Sequence, residues 1–117
     1  MIIRLPVPPS TNALYANRKR GKGYGRIKTG GYRQWLADAD SWLLAQWHAL
    51  PTHSVSGSCS IAIRVPKVRG DISNRIKAAE DFLVSRLITS DDSNNRKVSI
   101  EVDDRLTTYC EIEVRAA

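Results

Sequence analysis

Acidic side chains on both sides of one predicted helix are the residues of this chain best suited to chemistry. Asp71 precedes the helix directly after a glycine, and Asp91 and Asp92 follow it in a turn-rich stretch. Carboxylate oxygens are ligands that Mg²⁺ prefers, and a typical site combines one or two of them with water and phosphate. A metal held in this way would activate water and neutralise charge on a phosphodiester.

Polar residues at the start of the same helix could assist such a site. Lys77 lies about one helical turn beyond Ser73 and could stabilise an anionic transition state. Its alternative role is an i,i+4 ion pair with Asp81 on a solvated face. Asp71 also has an alternative role, because an aspartate between a strand and a helix commonly serves as an N-cap. The two aspartates after the helix could equally make only local turn hydrogen bonds.

The apolar pattern predicts the elements that must position these residues. Residues 2–7 alternate as a strand that Pro6 ends or confines to a sheet edge, and residues 59–65 alternate as a half-buried strand. A helix is predicted over about 31–50, where apolar residues, including all three tryptophans, recur at steps of three and four. The second helix is predicted from an apolar stripe formed by Ile72, Ile76, Ala79, Leu83 and Leu87.

Two further strands are predicted near the end of the chain. Residues 98–102 and 106–114 each alternate, and the turn D-D-R at 103–105 separates them, which predicts a β-hairpin. The resulting order is β-α-β-α-β-β. It predicts an α/β (α+β) fold over residues 1–117, in which a single domain combines a mixed β-sheet with two main helices.

A basic, glycine-rich segment lies between the first strand and the first helix. Residues 17–31 contain five glycines and six of the eighteen Lys and Arg residues without an apolar period, which predicts a mobile loop. The chain has a formal charge of +6 and a pI near 9.7, which favours a polyanionic partner. We expect backbone phosphates to be bound by Arg18, Lys19, Arg20, Lys22, Arg26, Lys28 and Arg69.

Cysteine usage and hydropathy argue against several classes of protein. Cys59 and Cys110 each fall within an alternating apolar pattern, and the sequence has no C-x-x-C or Cys/His cluster that could hold zinc. Both are therefore predicted to be reduced core thiols. No apolar run has the length of a signal-peptide core or of a membrane span. We expect a soluble, cytoplasmic protein with no membrane association.

The motifs around the second helix resemble those of a known family. The run D-I-S-N-R-I-K at 71–77 and the pair D-D at 91–92 are similar to the pattern D-x-D-N-x-x-K, followed by D-D, of the RusA-type Holliday junction resolvases. The opening L-P-V-P-P-S-T-N at 5–12 is similar to the family's P-P-S-x-N, and chain length and element order also fit. The resemblance implies a homodimeric endonuclease of phages and prophages that acts in DNA recombination and repair. Such an enzyme cuts four-way DNA junctions with Mg²⁺ or Mn²⁺.

The same resemblance implies a role for each motif residue. The catalytic set is Asp71, Lys77 and Asp92. The metal-binding set is Asp71, Asp92, Asp91 and Ser73. Asn74 matches the motif asparagine, and we expect it to support the site by orienting the loop or a ligand.

Ser73 departs from the motif, because it occupies the position of the second aspartate. A hydroxyl is neutral and is a weaker Mg²⁺ ligand than a carboxylate, so we expect lower metal affinity and a lower rate. Asp91 or Glu80 could supply the missing charge. Two alternatives stay open: a weakened or inactive homologue that binds branched DNA, and a basic RNA-binding module whose acids only cap helices and form turns.

Overall fold

The structure is a computed structural model that describes residues 1–20 and 23–117, with backbone alone for residues 18–20, 23 and 24. Its helices are α1 Gly30–Gln46 and α2 Ile76–Ser85. Its strands are β1 Ile2–Pro6, β2 Tyr15–Arg20, β3 Gly23–Lys28, β4 Cys59–Val65, β5 Asn95–Val102 and β6 Tyr109–Ala116. Short 3₁₀ helices span Thr11–Ala13, Trp47–Ala49, Ile72–Arg75 and Asp92–Asn94.

A mixed four-stranded sheet forms the centre of the fold, in the order β1-β6-β4-β5. Only β4 and β5 are parallel, with Cys59 opposite Asn95 and Val65 opposite Val102, while β6 is antiparallel to both of its neighbours. Parallel neighbours need a crossover connection, and α2 supplies it. A mixed sheet with two main helices confirms the predicted fold class.

The first two predicted main-sheet strands are confirmed. Along β4, Cys59, Ile61, Ile63 and Val65 are buried, while the residues between them are half-buried. These apolar side chains join the core formed with both helices. Strand β1 lies at the sheet edge and ends at Pro6. A proline at that position costs no ladder hydrogen bond inside the sheet.

The first helix also follows the prediction. Helix α1 and the 3₁₀ turn after it end at Ala49, two residues before Pro51. Trp35 is buried and meets Phe82 of α2 edge to face, with ring centroids 5.6 Å apart. Trp42, by contrast, remains 38% exposed, so the core does not use the whole apolar stripe of this helix.

The predicted pairing of the last two strands is wrong. Strands β5 and β6 exist, but β4 lies between them in the sheet. The connecting chain passes the end of β4, where the Asp103 N–H donates to the Val65 carbonyl at 2.8 Å. Alternation predicts that a segment is a strand and which face is buried, but it does not identify the neighbouring strand.

The predicted mobile loop at 17–31 is also wrong for the part that the structure describes, while residues 21 and 22 lie outside the described residues. Strands β2 and β3 pair antiparallel in a separate two-stranded sheet, with Tyr15 opposite Lys28. Thr29 then caps α1, since its hydroxyl accepts from the Tyr32 N–H at 3.2 Å. A ribbon separate from the main sheet does not need the apolar alternation of a core strand, so its sequence carried no strand signal.

The apolar stripe of the second helix is wrong at its end. Residues 72–75 form a 3₁₀ segment, α2 ends at Ser85, and Leu87 is 77% exposed with a φ of 59°. The Ile88 N–H then donates to the Leu83 carbonyl at 2.9 Å, which closes the helix with a left-handed residue. The fully buried Ile88 takes the core position predicted for Leu87.

Both cysteines are free and buried, as predicted. Burial raises the pKa of the Cys110 thiol to about 12, so this thiol stays protonated in the core. Within residues 1–20 and 23–117, no helix has the length and apolar character needed to cross a membrane.

Candidate metal and nucleic-acid site

The acidic pair before β5 is a compact anionic feature. Asp91 precedes the 3₁₀ turn Asp92–Asn94, and its carboxylate accepts from the Ser93 N–H at 3.3 Å. The pKa of the Asp91 carboxyl is lowered, first by a hydrogen bond with the Asp92 carboxyl group and then by Ser93. Both residues are exposed. Because these hydrogen bonds favour the charged form of Asp91, this exposed turn presents a carboxylate that a cation could bind.

Asp92 also lines a cleft between the β2–β3 hairpin and the two helices. The cleft has a volume of about 490 Å³. The hairpin contributes one aromatic and one basic side chain, and both helices contribute polar and apolar ones. The lining residues are Tyr15, Lys28, Tyr32, Leu36, Asp81, Val84, Ser85, Arg86 and Asp92.

Two charges of the cleft are neutralised by neighbouring side chains. Arg86 donates to both carboxylate oxygens of Asp40, including Nη2 to Oδ2 at 2.8 Å. Asp81 pairs with Lys77, whose Nζ lies 3.2 Å from Oδ2. Among the described residues, neither Lys28 nor Asp92 has an ion-pair partner. Of the lining residues that the structure describes, Lys28 and Asp92 are therefore left to interact with a ligand, which suits one that carries both a metal ion and a phosphate.

The predicted ion pair of Lys77 with Asp81 is confirmed, and half of the Lys77 side chain stays exposed. The pair gives Lys77 a place at the edge of the cleft, because Asp81 is one of the lining residues. Its structural role and a role beside bound phosphate are therefore compatible.

Asp71 does not use its side chain as an N-cap. Its carbonyl accepts from the Asn74 N–H at 3.2 Å, but its exposed carboxylate makes no capping bond. The chain reaches this position through Gly70, whose φ of +81° lies in the left-handed region that glycine adopts most readily. Ser73 is exposed two residues further on. The carboxylate of Asp71 is therefore available to a ligand.

The two acidic segments connect to opposite ends of the β4–β5 pair. Asp71 follows the carboxyl end of β4, whereas Asp91 and Asp92 precede the amino end of the parallel strand β5. In the part of the chain that the structure describes, no group of three or more His, Cys, Asp or Glu side chains could hold a metal ion. The structure brings Asp91 to Asp92 and places Asp92 with Asp81 around the cleft, but it does not join Asp71 to them in a three-acid group.

The structure brings the two quoted motif segments into contact. The Thr11 hydroxyl donates to the Asn74 carbonyl at 3.0 Å. Arg75 donates from Nη1 to the Pro8 carbonyl at 2.9 Å and from Nη2 to the Arg69 carbonyl at 3.3 Å. The P-P-S-T-N segment therefore supports the start of the second helix, and Arg75 is a positioning residue that the sequence analysis did not select.

The predicted phosphate contacts fall into three groups. Arg26 and Lys28 are exposed on β3, and Arg69 is exposed in the loop before Asp71. For residues 18–20 the backbone belongs to β2, but their side chains lie outside the described part of the structure. Lys22 lies wholly outside the described residues. The structure therefore locates three of the seven predicted basic side chains.

The sequence analysis missed the aromatic wall of the cleft. Tyr15 and Tyr32 meet edge to face at 5.8 Å. The pKa of the Tyr32 hydroxyl is raised, first by burial and then by the neighbouring Tyr15 and Asp81. Tyr32 lies at the start of the segment whose apolar period predicts the first helix, and Asp81 is considered there only as a partner of Lys77. Nothing in the sequence predicted that these residues would share a cleft with Asp92.

Comparison with known proteins adds no family assignment. No protein-family model matches the chain, and no curated protein matches it. The proposal that follows depends on the motif residues and on the geometry around Asp92.

Proposed function

We propose that this protein is a Mg²⁺- or Mn²⁺-dependent DNA endonuclease that cuts four-way junctions, as the resemblance to the RusA-type resolvases implies. The observation that carries the proposal is that Asp92, which follows Asp91 directly, lines the same cleft as Lys28, and that the described residues offer neither Asp92 nor Lys28 an ion-pair partner. A carboxylate for the metal and a cation for the phosphate meet there, on a chain with a formal charge of +6.

The donor set around Asp92 fits a hard divalent ion. Asp91 and Asp92 are adjacent, exposed and acidic, and Mg²⁺ commonly uses one or two protein carboxylates and completes its shell with water and substrate oxygens. When bound, the metal would activate water and neutralise charge on the scissile phosphate. In this proposal Asp91 and Asp92 hold the ion at the cleft. Roles for Asp71 and Ser73 follow from the family motif alone, since the described residues do not join Asp71 to Asp92 in a three-acid group.

Basic residues bind the phosphodiester beside that ion. Lys28 lies in the cleft without a carboxylate partner among the described residues, so it can accept a phosphate without breaking an ion pair. Lys77 is held at the cleft edge by Asp81 and can stabilise negative charge that develops during cleavage. Arg69 and the basic hairpin extend the contact along the backbone of the DNA.

A second candidate is a weakened or inactive homologue that binds branched DNA. Two observations favour it. Ser73 provides a hydroxyl where the motif has a carboxylate, and the described residues contain no three-acid group. This candidate predicts the same DNA binding without efficient cleavage.

The proposal includes a homodimer and a cytoplasmic location. A four-way junction has near two-fold symmetry and needs two paired cuts, which a C₂ dimer with two equivalent sites would provide. The homodimer comes from the family resemblance, and the cytoplasmic location is the expectation from the apolar pattern of the sequence.

The test is incubation of the purified protein with a labelled synthetic four-way junction in Mg²⁺ or Mn²⁺, with linear duplex and structured RNA as competitors. Symmetric cuts near the branch, with preference for the junction, are the expected result. Junction binding without cuts would favour the inactive homologue. Preference for RNA would contradict both DNA proposals and favour the basic RNA-binding module.

A further inference from the structure

An arginine side chain packs over an aromatic ring that lines the cleft. The guanidinium carbon of Arg26 lies 4.9 Å from the centroid of the Tyr15 ring. Tyr15 in turn meets Tyr32 edge to face, and Tyr32 stacks on Trp35 with an interplanar angle of 25°. Because Tyr32 and Trp35 are buried, this row anchors the Tyr15 ring, and through it the guanidinium plane, to the core.

The position of Arg26 connects this plane to the cleft. Arg26 and Lys28 are two residues apart on β3, and side chains at this spacing point to the same face of a strand. Lys28 lines the cleft that also contains Asp92. Within the described part of the chain, Arg26 makes no ion pair with a carboxylate, and the residue is exposed.

This arrangement offers more than a positive charge. If only the charge mattered, a mobile side chain such as lysine, with its ammonium group, would bind phosphate equally well. The planar guanidinium of Arg26 is preorganised by its contact with the Tyr15 ring, and it stays exposed to a ligand. Nucleobases that have left the helical stack bind to such arginine planes and to aromatic rings.

We propose that Arg26, supported by Tyr15, stacks on one unstacked base of the DNA strand whose phosphate lies beside Lys28. The inference rests on the proposed function and makes its substrate more specific, because it requires a base that is exposed at the branch point. Arg26 is then a binding residue that favours branched over fully stacked DNA.

The experiment measures binding in EDTA, so that no cleavage is required. Four-way junctions with single abasic sites at successive positions around the branch are titrated with the wild-type protein, Arg26→Lys and Tyr15→Leu. Arg115→Lys, at an exposed position near the end of β6, is the matched control. For the wild type and the control, removal of one particular base should weaken binding about tenfold, in the range known for base stacking. Arg26→Lys and Tyr15→Leu should bind intact and abasic junctions equally well. Because Arg26→Lys retains the charge, its loss of discrimination would not come from a lost charge.

Several outcomes would overturn the inference. If the wild type bound every abasic junction with the same affinity, a stacked base would be excluded. If Arg26→Lys still lost affinity when the particular base is removed, stacking on Arg26 would be excluded. Absence of junction binding would overturn it too. Cleavage is measured separately: a protein that shows the abasic penalty but never cuts DNA would contradict the proposed nuclease and support the stacking platform.

Discussion

At the scale of single residues, the hydroxyl of Ser73 sets the chemistry that can be expected. Ser73 is exposed in the 3₁₀ segment Ile72–Arg75, two residues after Asp71, whose carboxylate makes no capping bond. A carboxylate at position 73 would add a negative charge close to Asp71. Such a pair would attract a divalent ion more strongly than one carboxylate and one hydroxyl do.

We predict that Ser73→Asp lowers the Mg²⁺ and Mn²⁺ concentrations needed for half-maximal cleavage. The added carboxylate should strengthen metal binding and raise the rate at low metal concentration. Single-turnover cleavage of a four-way junction, titrated with each metal, measures this shift. Ser99→Asp on exposed β5 controls for a general change of charge and should leave the titration unchanged. A slower Ser73→Asp enzyme with no gain in metal affinity would show that the added charge only crowds the site.

The sequence predicts the contacts of single residues correctly where those contacts depend on local spacing. The i,i+4 pair of Lys77 with Asp81 was predicted and is present, because helical spacing brings those side chains together. The capping role of Asp71 was a reasonable expectation from its position, but its side chain does not make the bond. The contact of Thr11 with Asn74 is tertiary, and no local pattern encodes it.

At the scale of elements, the end of α2 shows how a local rule can mislead. The helix closes on Leu87, which has positive φ, although glycine is the usual residue there. Because no glycine marks the end of the helix, the apolar period in the sequence continues to Leu87. In the structure the fully buried Ile88 occupies the core instead, because the left-handed residue changes the direction of the chain.

We predict that Leu87→Gly stabilises the protein by roughly 0.5–1 kcal/mol. It relieves the cost of a left-handed conformation, and Leu87 is 77% exposed and so loses little packing. The control is Leu44→Gly, at an equally exposed position inside α1, which should destabilise by about 1 kcal/mol. Urea unfolding of both variants measures the free energies. Destabilisation of similar size at both positions would contradict the assignment of the helix end.

The basic hairpin is the element that we expect to hold the DNA backbone. Arg26→Ala combined with Lys28→Ala should reduce the magnitude of the slope of log affinity against log salt by about 0.9, because the lost phosphate contact of Lys28 removes about 0.9 and Arg26 stacks on a base. The measurement is junction binding over a range of salt concentrations. Arg96→Ala with Lys97→Ala removes the same charge from exposed β5 and should change the slope less. Equal changes in the two double variants would show that only net charge matters.

At the scale of the whole molecule, the fold class was predictable and the sheet order was not. Apolar alternation and helical period indicated both helices and all four strands of the main sheet, since burial of one face is a local property of each segment. The insertion of β4 between β5 and β6 depends on competition among distant strands, and the short D-D-R turn favoured the wrong partner. The cleft around Asp92 could not be predicted for the same reason, since the hairpin, both helices and the turn at Asp92 all contribute to it.

The proposed dimer needs a surface that the monomer core leaves uncovered. Trp42 is 38% exposed on α1 and lies 6.1 Å from Tyr109, beside Arg4 and Ala45. We predict that the wild type sediments as a dimer at micromolar concentration and that Trp42→Glu sediments as a monomer. Leu44→Glu, at the more exposed apolar position of the same helix, is the control and should remain dimeric. Sedimentation of the wild type as a monomer, with and without junction DNA, would contradict the dimer.

Single-turnover cleavage of a four-way junction by the wild type and Asp92→Asn, in Mg²⁺ and in Mn²⁺, tests the central claim most directly. The account predicts metal-dependent cuts by the wild type and a loss of about 100-fold or more in Asp92→Asn, since removal of one group that stabilises a transition state commonly costs this much. Junction affinity should stay equal or increase, because the variant removes negative charge beside phosphate. Cleavage by Asp92→Asn at a rate near that of the wild type would contradict the assignment of the metal site.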